Sequence, residues 1–480
     1  MHYPMGIIMN NAILALNQAV QDAGVEFFAN YPGFHSNEMF DNQNGMVTSV
    51  DEKTAFAYAW GCSLAGKRSV VSFKNVGLND AADAFLGAHF IGCRAGLVLV
   101  LFDDCDIQHS QNRIDVRPYF DIYGGLWFEP KNISDIYTMT LEAFGLSEKF
   151  ELPVVIRITN ILYDMGMDPL TQGSWKRAKC ETVFFPPISR LPDSSPYVAH
   201  PSQAKQQEFS LVEKNRRIAE FIDIRYKAWK SITEPPPQLI CGAKRNVMES
   251  NALHIDTLPG PWDEIRRIFS GEAPGDVTVY EHGASPFMKN KLSAVLSHSS
   301  LKSVNMAPMQ GIKFKYHNYN TVENLFLPLC EIDNSIVIGD LGSYTMDPHR
   351  TIMAALCYGT CIATAMGFAH ALTDRNIFAI TGDAAYLHSG QSCLWELKER
   401  GVKLSIFVFN NGGARGTGGQ RIPGDLRSHP DNIRLCEYDY HSMSSDDFRK
   451  VISDNLQQKG STLNIIHIQE ENDAKSNNPS

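Results

Sequence analysis

What most constrains this chain is a recurring alternation: short, nearly continuous apolar runs separated by stretches of helical period. The runs at residues 69–73, 96–102 and 153–158 lack polar alternation, so both of their faces must be covered. Strands of that kind belong in parallel sheets, where neighbours are joined by crossovers long enough to hold a helix. Helical stretches at 10–22, 51–65, 80–91 and 133–148 supply those crossovers, and Gly24 and Gly66 close the first two. Shorter strands are expected at 25–29 and 46–50. Residues 1–180 therefore read as a doubly wound α/β domain.

The texture changes between 181 and 270. Pro186-Pro187 and Pro235-Pro236-Pro237 bracket a polar helix at 209–229, which predicts a linker arm with little core of its own. The alternation then resumes. Strands are expected at 277–281, 335–339, 377–381, 404–409 and 463–468, with helices near 286–297, 353–371, 389–400 and 445–457. Residues 271–470 thus form a second doubly wound parallel-sheet domain, and the polar segment 471–480 is expected to be disordered.

Composition excludes more than it assigns. The 480 residues carry a net charge of −10 with no clustered Lys/Arg run, so neither nucleic acid nor an anionic membrane is expected as a partner. The longest apolar run, 95–102, is far short of a membrane span, and residues 1–11 lack the basic start of a signal peptide. A cytoplasmic location is the expectation. The ten cysteines are scattered and form no Cys-x-x-Cys, which disfavours a disulfide framework, a ferredoxin-type cluster and a four-cysteine zinc site.

The strongest chemical signal lies in the second domain. The strand at 377–381 runs into Gly382-Asp383, and the strand at 404–409 runs into Asn410-Asn411-Gly412-Gly413. Asp383 and Asn411 are 28 residues apart, one strand–helix–strand return. Both therefore sit at the carboxyl edge, where open α/β sheets bind ligands. A carboxylate, an amide oxygen and the Gly413 carbonyl suit Mg²⁺, which takes octahedral oxygen ligands and completes its shell with phosphate. Gly382 and Gly412 let the backbone approach a diphosphate. Either half alone is ordinary turn chemistry; the pair, after two hydrophobic strands, favours a metal–diphosphate site. Neither GxGxxG nor GxxxxGK[ST] occurs, which weighs against a nucleotide.

The Gly-Asp and Asn-Asn pair resembles the signature of thiamine diphosphate enzymes. Its surroundings are more particular. Gly339-Asp340-Leu341-Gly342-Ser343-Tyr344-Thr345, His388-Ser389-Gly390 and Thr417-Gly418-Gly419-Gln420 resemble the alpha subunit of the indolepyruvate ferredoxin oxidoreductases. The last of these also resembles the sulfopyruvate and phosphonopyruvate decarboxylases. In the first domain, Tyr31-Pro32-Gly33, Lys74-Asn75-Val76-Gly77, Asp103-Asp104, Ser110-Gln111-Asn112 with Asp115 and Arg117, and the run from Leu146 to Val154 match the same family. The resemblance covers residues 1–180 and 275–425. It implies a pyrimidine-binding-type domain at 1–180, a diphosphate-binding-type domain at 271–470, and bound thiamine diphosphate. Asp383, Asn411 and the Gly413 carbonyl would hold Mg²⁺. Gly342, Ser343, Tyr344, Gly382, Asp383, Ala384, Asn411 and Gly413 would line the cofactor. Lys74, Gln111, Asn112 and Arg117 would face cofactor or substrate.

Thiamine chemistry also needs a carboxylic group on the aminopyrimidine N1′, so that the adjacent amino group can take the C2 proton. In Ser49-Val50-Asp51-Glu52-Lys53 the resemblance assigns that role to Glu52, although the acidic pair equally suits a plain helix N-terminus. The chain departs from the family at several points. No Cys-x-x-Cys of a ferredoxin-type domain occurs in these residues, so none is expected here; the intervening domain shrinks to 181–270, and Glu281-His282-Gly283 stands where the family has a Cys-Pro-rich segment. Phe34-His35 follows Gly33 where a threonine is expected.

These departures bring the oxidative half-reaction into question and leave decarboxylation of a 2-oxo acid intact. The resulting enamine would be protonated or added to a second carbonyl without electron transfer. That requires an acid or base, and His35, His282 and His388 are the candidates, although a lone histidine is usually structural. His388 ranks first because it matches a family position. The reading is therefore a thiamine diphosphate- and Mg²⁺-dependent decarboxylase or carboligase, homodimeric because such cofactors usually sit between subunits. The alternative is an alpha-type oxidoreductase subunit that passes electrons to clusters on a partner chain. A cofactor-binding scaffold without turnover is disfavoured by the joint presence of Glu52, Asp383 and Asn411.

Overall fold

The computed structural model describes residues 10–33, 35–39, 48–105, 110, 114–165, 196–200, 203–233, 238–241, 252–269, 278–281, 287–296, 325, 328–329, 331–342, 351–414 and 420–468. The first domain is built on β1 (Phe27–Asn30), β2 (Ser69–Lys74), β3 (Leu97–Asp103), β4 (Leu126–Phe128) and β5 (Val154–Thr159). They run parallel in the order β1-β2-β3-β5-β4. All of β3 and β5 is buried, as uninterrupted apolar runs require. The crossovers are α1 (Asn11–Asp22), α2 (Glu52–Leu64), α3 (Leu78–Ile91) and α5 (Ile133–Phe150), with the short α4 (Tyr119–Tyr123) before β4 and α6 (Asn160–Asp164) after β5. Four of these start on a side-chain cap: Asn10 accepts from the Ala12 amide, Asp51 from Thr54, Asn132 from Asp135 and Thr159 from Leu162. Of the strand expected at 46–50, residues 48–50 are described and form no strand. The Ser49 hydroxyl and the Val50 N–H instead bond Glu396 of the second domain.

The second domain has six parallel strands: β10 (Ser335–Gly339), β11 (Ile352–Ala354), β12 (Asn376–Gly382), β13 (Ser405–Asn410), β14 (Arg434–Asp439) and β15 (Thr462–His467). Their order is β11-β10-β12-β13-β15-β14, covered by α10 (Cys361–Ala371), α11 (Cys393–Arg400) and α12 (Ser445–Gln457). The helix expected over 353–371 begins only at Cys361. Residues 352–354 pair with β10, and Gly359, at φ +82°, turns the chain between. The edge strand β14 went unforeseen because its residues are polar and half-exposed.

The segment between the domains departs most from expectation. Its helix α7 (Ala204–Arg225) lays Ile218 and Ile222 onto the first domain. Beyond it, β6 (Gln238–Cys241), β7 (Ala252–Ile255) and β9 (Thr278–Glu281) form a separate parallel sheet in the order β7-β6-β9. The strand expected to open the second domain at 277–281 thus belongs to this third sheet. Between them β8 (Thr257–Leu258) pairs antiparallel with β4, and α8 (Trp262–Ile268) follows. The four-residue β6 and β7 carry too little periodicity to stand out from sequence. α9 (Phe287–Leu296), expected with the second domain, packs instead on α8 and β9.

The two large domains meet through α2 and α10. Every residue of α2 from Lys53 to Leu64 is buried, which explains a helix apolar on all sides. The helices cross at glycines: a Cβ on Gly61 would collide with the Thr364 carbonyl, and one on Gly367 with the Tyr58 carbonyl. One continuous apolar core therefore runs from the first sheet to the second. Among the described residues, no helix is long and apolar enough to cross a membrane.

Candidate active site

β12 and β13 are adjacent and parallel, so their carboxyl ends bring Asp383 and the 410–413 loop together. Asp383 Oδ1 accepts from the Ala384 N–H and Oδ2 from the Gly413 N–H, each at 2.8 Å. The loop is anchored from behind: Asn410 Nδ2 bonds His467 Nδ1 at 3.0 Å, and Asn410 Oδ1 accepts from the Gly412 N–H at 3.3 Å. Gly413 has φ +140°, and the Gln420 backbone occupies the space a Cβ would need. Only glycine fits there. Burial raises the pKa of the Asp383 carboxyl, and the amides around it limit the rise.

One end of the Asn411 amide lies 2.7 Å from the Gly413 carbonyl oxygen and 3.2 Å from Asp383 Oδ1. With nitrogen at that end, the amide donates to both. With oxygen there, three oxygens converge with no proton between them, and only a cation could relieve the repulsion. This carboxylate–amide–carbonyl set is hard and all-oxygen, and it fits Mg²⁺. Among the described residues, no three His, Cys, Asp or Glu side chains gather as an alternative metal set.

The neighbouring strand β10 repeats the motif, ending in Gly339-Asp340. Asp340 is buried and accepts from the Leu341 N–H at 2.9 Å, the Gly359 N–H at 2.8 Å, the Cys361 N–H at 3.4 Å and Thr381 Oγ1 at 3.3 Å. Burial pushes its carboxyl up to about 6 despite those donors. It therefore ties together the ends of β10 and β12 and the start of α10. Gly342 follows on the exposed side of this turn. His388 is exposed nearby, with Nδ1 2.9 Å from Ser389 Oγ and its ring 5.3 Å from that of Tyr358.

Glu52 is the first residue of α2, directly after the capping Asp51. It packs so closely on Gly77 that a Cβ there would strike its carboxylate. Burial raises the Glu52 pKa, a backbone hydrogen bond opposes this, and Asp80 and Asp51 add to the rise. The next residue crosses to the other domain: Lys53 Nζ donates to the Tyr358 carbonyl at 2.8 Å. Lys74 ends β2 half-buried, with its Cβ against Gly33.

Other sequence-selected residues are differently placed. Arg117 has no exposed surface, is forked onto Asp115, and reaches Glu281 of the third sheet at 2.8 Å. Burial alone would raise the Asp115 carboxyl, but this guanidinium pulls it down to about 2. Arg117 thus holds the third sheet to the first domain instead of presenting a cation to solvent. His35 is buried against Tyr163, with Nδ1 2.9 Å from Glu38, whose other oxygen accepts from the Tyr163 hydroxyl. Gln111, Asn112, His282, Ser343, Tyr344 and the 417–419 glycine segment lie outside the described residues.

Sequence reasoning assigned no role to Asp340, although its signal was present: a second Gly-Asp at the end of an apolar strand. It also passed over Glu396, which sits on an ordinary amphipathic helix and carries no local signal at all.

Residues 340–453 match the thiamine pyrophosphate enzyme C-terminal TPP-binding domain. The chain is 25% identical over 484 aligned positions to the indolepyruvate oxidoreductase subunit IorA of Archaeoglobus fulgidus, covering 85% of this chain and 75% of that one. Among solved structures it resembles the thiamine diphosphate-dependent 4-hydroxybenzoylformate decarboxylase of Rhodococcus jostii, with a TM-score of 0.54 at 13% identity over 95% of this chain and 99% of that one. Benzoylformate decarboxylase from Polynucleobacter necessarius gives 0.51 at 12% identity over 96% and 99%. The α/β fold with parallel sheets is thus that of thiamine diphosphate enzymes, and the sequence resembles the oxidoreductase subunit.

Proposed function

We propose that this chain is a thiamine diphosphate- and Mg²⁺-dependent enzyme that decarboxylates a 2-oxo acid and then protonates the product carbon or joins it to a second carbonyl. The observation that carries this reading is the convergence of Asp383, the Asn411 amide and the Gly413 carbonyl, inside the segment that matches a TPP-binding domain. Those three groups would hold Mg²⁺ and through it the diphosphate, with Gly382 and Ala384 close by. Bound thiamine diphosphate supplies the electron sink that accepts the pair released as CO₂ leaves.

The remaining steps fall to the chain's own side chains. The half-buried Glu52, its pKa raised by burial, suits a carboxyl that exchanges a proton with a ring nitrogen. His388, exposed beside Tyr358, is our candidate for the group that would deliver a proton to the product carbon. The net change is a 2-oxo acid plus one proton giving an aldehyde and CO₂. One cofactor must reach Glu52 in one domain and Asp383 in the other, and we take the working unit to be a homodimer.

The similarity to an indolepyruvate oxidoreductase subunit favours a second reading, an alpha-type subunit that hands electrons to clusters on a partner chain. A screen of 2-oxo acids separates the two. CO₂ release with stoichiometric aldehyde or acyloin, without added oxidant, supports the first. Coenzyme A-dependent dye reduction that appears only with a cluster-bearing partner replaces it with the second.

A further inference from the structure

Glu396 belongs to the second domain, yet most of what it holds belongs to the first. Its side chain is wholly buried on α11. Oε1 accepts from Ser49 Oγ at 2.9 Å and from Arg400, Nη2 at 2.6 Å and Nε at 3.0 Å; Oε2 accepts from the Val50 N–H at 3.1 Å. Arg400 also reaches Ser49 Oγ at 3.3 Å, and its guanidinium lies 4.6 Å from the ring centre of Tyr58 and 5.8 Å from that of Phe27. A carboxylate is rarely buried this deeply unless paired and hydrogen-bonded. Here only Arg400 comes from its own helix.

Ser49 and Val50 are the last residues before the Asp51 cap and Glu52. Their segment is stitched on three sides. The Ser49 N–H bonds the Asn30 carbonyl at the end of β1, Glu396 takes the Ser49 hydroxyl and the Val50 amide, and the Lys53 N–H donates to Asp80. Of these anchors, Glu396 alone comes from the domain that carries Asp383. We infer that Glu396 is a positioning residue: by fixing the backbone at Ser49 and Val50 it sets where the Glu52 carboxyl stands. The inference rests on the role proposed above for Glu52.

The test combines amide hydrogen exchange on the full chain without cofactor and steady-state kinetics on the loaded enzyme. Glu396→Gln keeps the shape but turns one acceptor into a donor facing Ser49 or Arg400. Exchange at Val50 should rise by about tenfold or more, as expected when a local opening becomes easier. In the kinetics kcat should fall about 10- to 100-fold with KM within roughly threefold, the pattern of a misplaced catalytic group. Ser49→Ala removes the two hydroxyl bonds, to Glu396 and from Arg400, and leaves the Glu396–Arg400 pair whole. It should lower kcat in the same direction by a smaller factor, without moving the thermal midpoint. Unchanged Val50 exchange in Glu396→Gln, or a kcat loss in which KM rises equally, overturns the inference. If Glu396→Gln does not fold, Ser49→Ala decides: parental kcat and parental exchange overturn it. Full activity in Glu52→Gln instead removes the underlying reading, while the exchange result still reports on the tether.

Discussion

The Gly413 amide donates to Asp383 Oδ2 at 2.8 Å, joining the ends of two adjacent parallel strands. That bond fixes one carboxylate oxygen, while the other, Oδ1, accepts from the Ala384 N–H and lies 3.2 Å from one end of the Asn411 amide. The geometry is set by the protein alone. Asn410, held between His467 and the Gly412 amide, keeps the loop in place from the far side. A preformed set of this kind would take a cation without a large ordering penalty.

Asp383→Ala should therefore remove most Mg²⁺-dependent affinity for thiamine diphosphate. Loss of the one charged ligand is expected to weaken binding on the order of 100-fold, about 2.7 kcal/mol. Titration calorimetry with and without Mg²⁺ measures it. Equal binding by parent and variant would sink the assignment of this loop as the metal–diphosphate site.

Glu52→Gln addresses the other half of the site. Turnover should fall by about 10²- to 10⁴-fold, the range for losing a positioned proton-transfer group, while cofactor affinity stays within roughly tenfold. Stability should move the opposite way. Burial raises the Glu52 pKa in the folded chain, so its contribution to stability is full at low pH and is lost as pH rises through the folded value. The neutral amide avoids that loss. At pH 7 the variant should be at least as stable as the parent by thermal unfolding, and a large destabilisation would count against this account of the site.

How much of this was legible before the structure depended on whether the information was local. The core strands β2, β3, β5, β12, β13 and β15 announce themselves as apolar runs, and Asp383 and Asn411 follow because strand ends in such sheets face the ligand. The third sheet was not legible as a sheet: β9 was expected as a strand but assigned to the second domain, and its partners β6 and β7, four residues each, went unread. The pairing of Arg117 was hidden for a related reason: its partner Glu281 lies 164 positions away. Glu396 and Ser49, 347 positions apart, present the same difficulty. No window of sequence contains either pair.

Asp340 offers a pH test independent of catalysis. Its carboxyl, raised to about 6 by burial, holds a proton more tightly folded than unfolded. Its contribution to stability is thus present below pH 4 and is lost as pH rises through 6, a change of about 3 kcal/mol at 1.36 kcal/mol per unit. Carbon-13 NMR of the aspartate carboxyls should show one group titrating near 6. Asp340→Asn should flatten the stability profile between pH 4 and 6. A profile identical to the parent's, or no carboxyl titrating above 5, contradicts the burial argument.

The contact between α2 and α10 makes a prediction whose sign is diagnostic. Glycine inside a helix is ordinarily a weak point, and Gly→Ala there stabilises by about 0.5–1 kcal/mol. Gly145 in α5 is such a case, with nothing within 4 Å of an added Cβ, so Gly145→Ala should raise the unfolding midpoint. At Gly367 the added methyl would meet the Tyr58 carbonyl, and at Gly61 the Thr364 carbonyl, both backbone atoms of the facing helix. Neither can move without shifting a whole domain. Gly367→Ala and Gly61→Ala should therefore each lower stability by about 1–3 kcal/mol, or roughly 2–4 °C per kcal/mol in the midpoint. The damage should also spread to the site, because α2 carries Glu52 at its start and α10 begins at the residue whose amide Asp340 receives. Calorimetry on the three alanine variants side by side is the measurement. If all three stabilise alike, the two domains do not meet at these glycines.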